Sequence, residues 1–244
     1  QYYPEIARED FNDLMLKRAK ELASKDKVID VLYSGGIDST AIILALMEVC
    51  PRDQLHIIAG GTSVIGHYEK LWDNYISGGW HTLDESGNLY GQVKPDKHLY
   101  TSGCEADRLF GSVGYPPQMD DAVRDPDSSL GYKISRNKPP NLEEDEEWNY
   151  EMWWTITRYT FLTQSFRLLQ NITCKEIDLN NYQPFFRDVD IHKWAINEHI
   201  NKNMYWYNHG PRSPEEKFMK AKMMLRDFIA QWDKEYAYNK GKTR

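Results

Sequence analysis

Residues Ser34-Gly35-Gly36-Ile37-Asp38-Ser39-Thr40 join a short apolar stretch, Val28-Ile29-Asp30-Val31-Leu32-Tyr33, to an apolar, helix-forming one, Ala41 to Val49. A strand that runs through a glycine turn straight into a helix constrains the fold more than anything else in the chain. Such a turn aims backbone N–H groups and the positive end of the helix dipole at the space beyond the strand, which suits an anion. Gly35 and Gly36 let the backbone come close to a phosphate and adopt positive φ at little cost. Ser34, Ser39 and Thr40 add hydroxyl donors. Asp38 is the odd member, because a carboxylate repels a polyphosphate unless a metal lies between them. Magnesium, held by one or two carboxylates together with substrate phosphates, removes that conflict. The element therefore predicts a magnesium–nucleotide site, against the plain alternative of a strand–turn–helix corner. The Gly-Lys-Ser/Thr ending of the Walker loop is missing.

The chain has 244 residues, enough for one substantial domain with or without a smaller lobe. A net charge of -7 and a pI near 5.5 disfavour general binding to duplex nucleic acid. No window is apolar enough for a membrane span, and Gln1-Tyr2-Tyr3-Pro4 is no signal peptide. Cys50, Cys104 and Cys174 stand far apart without a CxxC pair, which argues against a disulfide framework or a structural zinc site. A reducing, cytoplasmic setting is expected. The abundant aromatics read as helical core and rim more readily than as a base-stacking platform.

Along the chain, residues 4–24 read as an amphipathic helix with Ile6, Phe11, Leu14, Met15 and Leu22 on one side. The helix after Ser39 is apolar nearly all round, as a helix covered on several faces should be. Leu55-His56-Ile57-Ile58-Ala59 reads as a second strand, and the β-α-β order implies a parallel pair. Residues 64–76 look helical, Trp80 to Leu83 could be a third strand, and Lys97 to Thr101 a further one followed by a helix from about Glu105. The proline-rich, acidic stretch 113–147 reads as a long excursion. Helical periodicity returns over 148–169, 189–200 and 213–232. The expected architecture is α/β, a parallel sheet with flanking helices, followed by a mainly helical part. Its expected divisions are an α/β core over 1–112, the excursion 113–147 and a helical part over 148–244.

Thr101-Ser102-Gly103-Cys104-Glu105-Ala106-Asp107-Arg108-Leu109-Phe110-Gly111 repeats the physics of the first turn: strand end, small polar residues, and an acid near a helix start. On neighbouring parallel strands the two turns would bring Asp38 and Asp107 together across the crevice, where they could share a magnesium ion.

The SGGIDS element resembles the pyrophosphate loop of the ATP pyrophosphatases, which cleave ATP between the α and β phosphates. With SGCEADRLFGS downstream, the pair resembles the synthetase domain of the asparagine synthetase and β-lactam synthetase family, with SGGxDS and SGxGADELFGG. Tyr182 to Arg187 is similar to that family's RxPFLD segment, and Lys222-Met223-Met224-Leu225-Arg226 to its K-x-x-LR helix. The resemblance implies a nucleotide α-hydrolase-like fold of the pyrophosphate-loop type. Ser34, Gly35, Gly36, Asp38, Ser39, Thr40, Ser102 and Gly103 would bind ATP, and Asp38 and Asp107 would hold Mg²⁺. The catalytic lysine of the family is best matched by Lys240, before Gly241, with Lys242 the other choice.

Departures accompany the likeness. Cys104 stands where asparagine synthetases have a glutamate, Glu105 is displaced by one position, and Arg108 and Arg187 replace family acids. These leave the acceptor chemistry to Cys104 and Glu105, with Cys104 readable either as a nucleophile or as a small buried filler. No counterpart of the family's glutaminase domain is seen, since Gln1 opens the chain. Free ammonia, a separate amidotransferase or an amine on the substrate would then supply nitrogen. The expected activity is an AMP-forming carbon–nitrogen ligase acting on a small carboxylate. Adenylation of a nucleobase or nucleoside carbonyl, or a nucleotide-binding subunit without turnover, are the alternatives.

Overall fold

The computed structural model describes residues 9–60, 81–84, 98–103, 106–110, 181–200 and 222–239. The expectations for residues 4–8, 64–76, 113–147, 148–169 and 213–221, and for Cys104, Glu105, Lys240 and Lys242, lie outside them.

The first helix, α1 (Phe11–Ala23), starts at Asp10, whose carboxylate accepts from the Asn12 N–H at 2.8 Å. That cap satisfies a backbone donor the helix cannot pair itself. Phe11, Leu14, Met15, Arg18, Ala19 and Leu22 form its buried face, the three-and-four spacing expected of one helix side. Arg18 is buried because its guanidinium has partners, the carbonyls of Phe185 and Pro184 at 3.0 and 3.3 Å.

Four strands follow: β1 (Ile29–Tyr33), β2 (Leu55–Gly60), β3 (His81–Asp84) and β4 (Leu99–Thr101). They form one parallel sheet in the order β3-β2-β1-β4. Alternation along β1 sends Ile29, Val31 and Tyr33 into the core shared with the helices and turns Asp30 and Leu32 to the other face. Helix α2 (Ile37–Met47) buries residues 39–46 without a break, and it packs on β1, on α1 and on the later helix Met223–Ile229. Its all-round apolar sequence is the consequence of having no solvent face.

A short helix, α3 (Ala106–Leu109), follows β4. The segment 181–185 then runs beside β4: Tyr100 N–H donates to Asn181 O at 2.7 Å, Gln183 N–H to Tyr100 O at 2.8 Å, and Phe185 N–H to Ser102 O at 3.1 Å. Helices α4 (Val189–Ile200), α5 (Met223–Ile229) and α6 (Lys234–Asn239) complete the described chain. Phe185, Ile191, Leu225, Phe228 and Tyr236 belong to the same core as α1 and α2. Phe11 meets Phe110 edge-on at 5.6 Å, and Phe110 meets Phe186 at 5.2 Å, so α1, α3 and the 185–186 segment lock through aromatic contacts.

One helical expectation needs correction. Periodicity predicts a continuous helix over 213–232, but Lys222 has a left-handed backbone (φ 57, ψ 36) and caps a new helix that ends at Ile229. Left-handed backbone in a non-glycine residue costs on the order of 1–2 kcal/mol, so something must hold it. Its side chain makes an ion pair with Asp38. Helix α6 lies within the expected helical part 148–244, beyond the predicted helix 213–232.

Candidate functional site: two turns at the sheet's reversal point

From β1 the chain steps outward through β2 to β3, then returns to the far side of β1 as β4. The order therefore reverses between β1 and β4. Open parallel sheets bind ligands beyond the carboxyl ends of their strands at such a reversal, because the crossovers diverge and leave a crevice. The turns 34–36 and 102–103 stand there.

The turns touch. A Cβ added to Gly103 would lie 2.8 Å from the Asp38 Cβ, 3.2 Å from the Asp38 carbonyl carbon and 3.3 Å from the Ser39 nitrogen. Only glycine fits that approach. Gly35 has φ 75, the left-handed backbone that turns the chain from strand into helix. Gly36 is the α2 cap and carries no side chain to satisfy the helix's first N–H groups. Those donors and the helix dipole face the turn, which favours an anion there.

The hydroxyls divide into two sets. Ser39 Oγ donates to Gly36 O at 3.1 Å and lies 3.3 Å from Ser34 Oγ, so both serines line the turn itself. Thr40 is fully buried, with its hydroxyl 3.1 Å from the Tyr236 hydroxyl, which in turn donates to Gly35 O at 3.3 Å. Thr40 thus braces the turn from behind, although the sequence placed it among the phosphate donors. Ser102 Oγ is likewise 2.7 Å from the Tyr182 hydroxyl. Burial pushes the Tyr236 hydroxyl up to about 12, with the Thr40 hydrogen bond opposing. Tyr236 is consequently a neutral donor throughout the physiological range.

Asp38, in the first turn of α2, forms an ion pair with Lys222 through Oδ2. The two side chains are 17% and 11% exposed, so the pair is largely withdrawn from water and far better shielded than a surface bridge. One turn further along α5, burial lowers the pKa of Arg226, while Tyr236, Asp38 and Tyr238 act against that shift. Its guanidinium donates to Ala237 O. An acidic chain has thereby placed two cations beside its glycine turn. Asp38 and the Ser34 and Ser39 hydroxyls are oxygen donors of the kind a hard divalent ion accompanied by phosphates takes, and such an ion would compete with Lys222 for Asp38 Oδ2.

Asp107 lies on α3, whose first N–H, from Ala106, donates to Gly103 O at 3.1 Å. Its backbone is thus tied to the second turn. Lys222 and Tyr236 were not singled out as site residues from sequence, because their partners are 184 and 201 positions away.

No family model matches the chain, and no curated protein resembles it significantly. Among the described residues, no helix is long and apolar enough to cross a membrane.

Proposed function

We propose that the protein is an ATP- and magnesium-dependent ligase that adenylates a substrate carboxylate, releases pyrophosphate and then forms an amide with ammonia or an amine. The observation that carries this reading is the contact of the two glycine turns at the strand-order reversal, with Asp38 at their junction. Ser34, Gly35, Gly36 and Ser39, with Ser102 and Gly103 opposite, would bind the phosphates. Asp38 and Asp107 would hold Mg²⁺, which neutralises phosphate charge when bound.

Lys222 is assigned here to hold Asp38 in place and to lend positive charge to the phosphates. Arg226 reinforces it from the same helix. Preorganised charge of this kind lowers the barrier because it need not reorient as negative charge builds on the phosphates. Lys240, the residue after α6 in the sequence, would be a further charge-stabilising residue, as the family resemblance implies. Cys104 and Glu105, which follow Gly103 in the sequence, would serve the acceptor side.

ATP labelled at the α-phosphate, incubated with Mg²⁺, ammonia and a panel of small carboxylic acids, tests the proposal. The expected products are AMP, pyrophosphate and an amide. ADP and orthophosphate would overturn it.

A further inference from the structure

A second set of ligating side chains lies at the opposite, amino end of the sheet. Asp30 in β1 pairs in register with His56 in β2 and with Tyr100 in β4, so all three share one face. His98, two residues before Tyr100, is a diagonal neighbour on that face. His98 Nδ1 is 2.7 Å from Asp30 Oδ2, and His56 Nδ1 is 3.3 Å from Asp30 Oδ1. One atom from each residue lies within 4.8 Å of the others. Asp38 lies beyond the far end of β1, which runs roughly 10 Å past Asp30 at strand rise before the glycine turn begins.

We propose that Asp30, His56 and His98 bind a divalent transition ion of the zinc class, independently of the nucleotide site. Zinc lies about 2.0–2.2 Å from imidazole nitrogen and carboxylate oxygen, so tetrahedral ligand atoms stand roughly 3.3–3.5 Å from one another. The His56 separation, 3.3 Å, meets that spacing, and the His98 separation, 2.7 Å, would have to open by several tenths of an ångström as the ion enters. Each ligand comes from a different strand or its entry, and sheet register fixes their relative positions. The Asp30 side chain is 4% exposed, while His56 and His98 are 42% and 32% exposed. The carboxylate thus forms a rigid floor, and the imidazoles form an open rim through which an ion can enter.

The Tyr100 ring stacks beside His98 at 6.4 Å and 26° and restrains its orientation. Two imidazoles with one carboxylate favour zinc, cobalt, nickel or copper over magnesium or calcium, which prefer oxygen donors. Three protein ligands leave a coordination position for water. The competing arrangement is purely structural: two imidazole N–H groups donating to one buried carboxylate, with no ion.

The test uses the whole chain, stripped with chelator and dialysed, then titrated calorimetrically with Zn²⁺ and followed by thermal melting. Expected are one specific binding event and a rise in melting temperature of several degrees. His56→Gln and His98→Gln, both at half-buried positions where a polar side chain should be accommodated, each weaken binding at least about tenfold, or about 1.4 kcal/mol. Asp38→Asn leaves zinc affinity unchanged. Co²⁺ in place of zinc should give the visible absorption of a low-coordinate site, lost in both histidine variants. Absence of zinc binding, or binding indifferent to both substitutions, would overturn the proposal.

Discussion

The two ends of the sheet each present a shielded carboxylate, and they surround it differently. At the carboxyl end, Asp38 leaves a glycine turn, sits at a helix N-terminus and faces the ammonium of Lys222. At the amino end, Asp30 stands mid-sheet between two imidazoles. Backbone N–H groups, hydroxyls and fixed cations suit a polyanion, and they accept a metal that arrives with it. Strand side chains with nitrogen ligands suit a borderline cation by itself. Which ligand each end prefers is decided by the source of the surrounding dipoles, backbone in one case and side chain in the other.

The sharpest way to break this comparison is Asp38→Asn. It keeps the shape and removes the charge, and should cut Mg-dependent pyrophosphate release roughly a thousandfold, about 4 kcal/mol of charge stabilisation. Asp30→Asn should leave that rate within about twofold, since the carboxylates lie at opposite strand ends and distant sites act independently. Equal losses in the two variants would show that the ends are not separate devices.

Lys222→Met comes next. It leaves Asp38 shielded and without its ammonium, at a cost of about 1.5–3 kcal/mol in chemical denaturation. Mg²⁺ should restore part of that loss, because removing Lys222 vacates the Asp38 oxygen. A variant as stable as the parent would mean that the left-handed backbone of Lys222 is held by something else.

Gly103→Ala forces a methyl group against Asp38 and Ser39, with an expected cost of about 1–3 kcal/mol. At about 2–4 °C per kcal/mol for a chain of this size, calorimetry resolves it easily. An unchanged melting temperature would mean that the two turns do not meet in solution.

The smallest effect is expected for Tyr236→Phe, about 1 kcal/mol for the hydrogen bonds to Thr40 and Gly35. It also carries a pH signature. Burial holds the folded-state pKa near 12, above the ordinary value of 10.0, so the native state keeps its proton longer than the unfolded chain. The stability contributed by the neutral hydroxyl is complete below pH 10 and is lost as pH rises towards 12. Denaturation midpoints across that window should fall less steeply in Tyr236→Phe than in the parent.

Much of the first site was legible because its causes are local. Gly35 at positive φ, Gly36 at the cap and Asp38 in the first helical turn follow from neighbours in the chain, and periodicity alone located β1, α2 and β2. The Lys222 pair was not legible, since it depends on a fold that brings α5 against α2. Left-handed Lys222 at the start of α5 also departs from the helix predicted over 213–232, of which 213–221 lie outside the described residues. The aspartate–histidine cluster left a fainter trace. Asp30 and His56 each occupy the second position of an otherwise apolar strand, and a polar residue there calls for partners. Strand register, which the sequence does not display, is what brings them and His98 together.

The most direct measurement is calorimetric binding of α,β-methylene-ATP, a nucleotide that cannot be cleaved at the α–β bond, with and without Mg²⁺. Expected is saturable binding that requires Mg²⁺, weakens by roughly tenfold or more in Asp38→Asn, about 1.4 kcal/mol or above, and persists in Asp30→Asn. Failure of the parent protein to bind the nucleotide, or identical binding by Asp38→Asn, would contradict the assignment of the two glycine turns as a magnesium–nucleotide site.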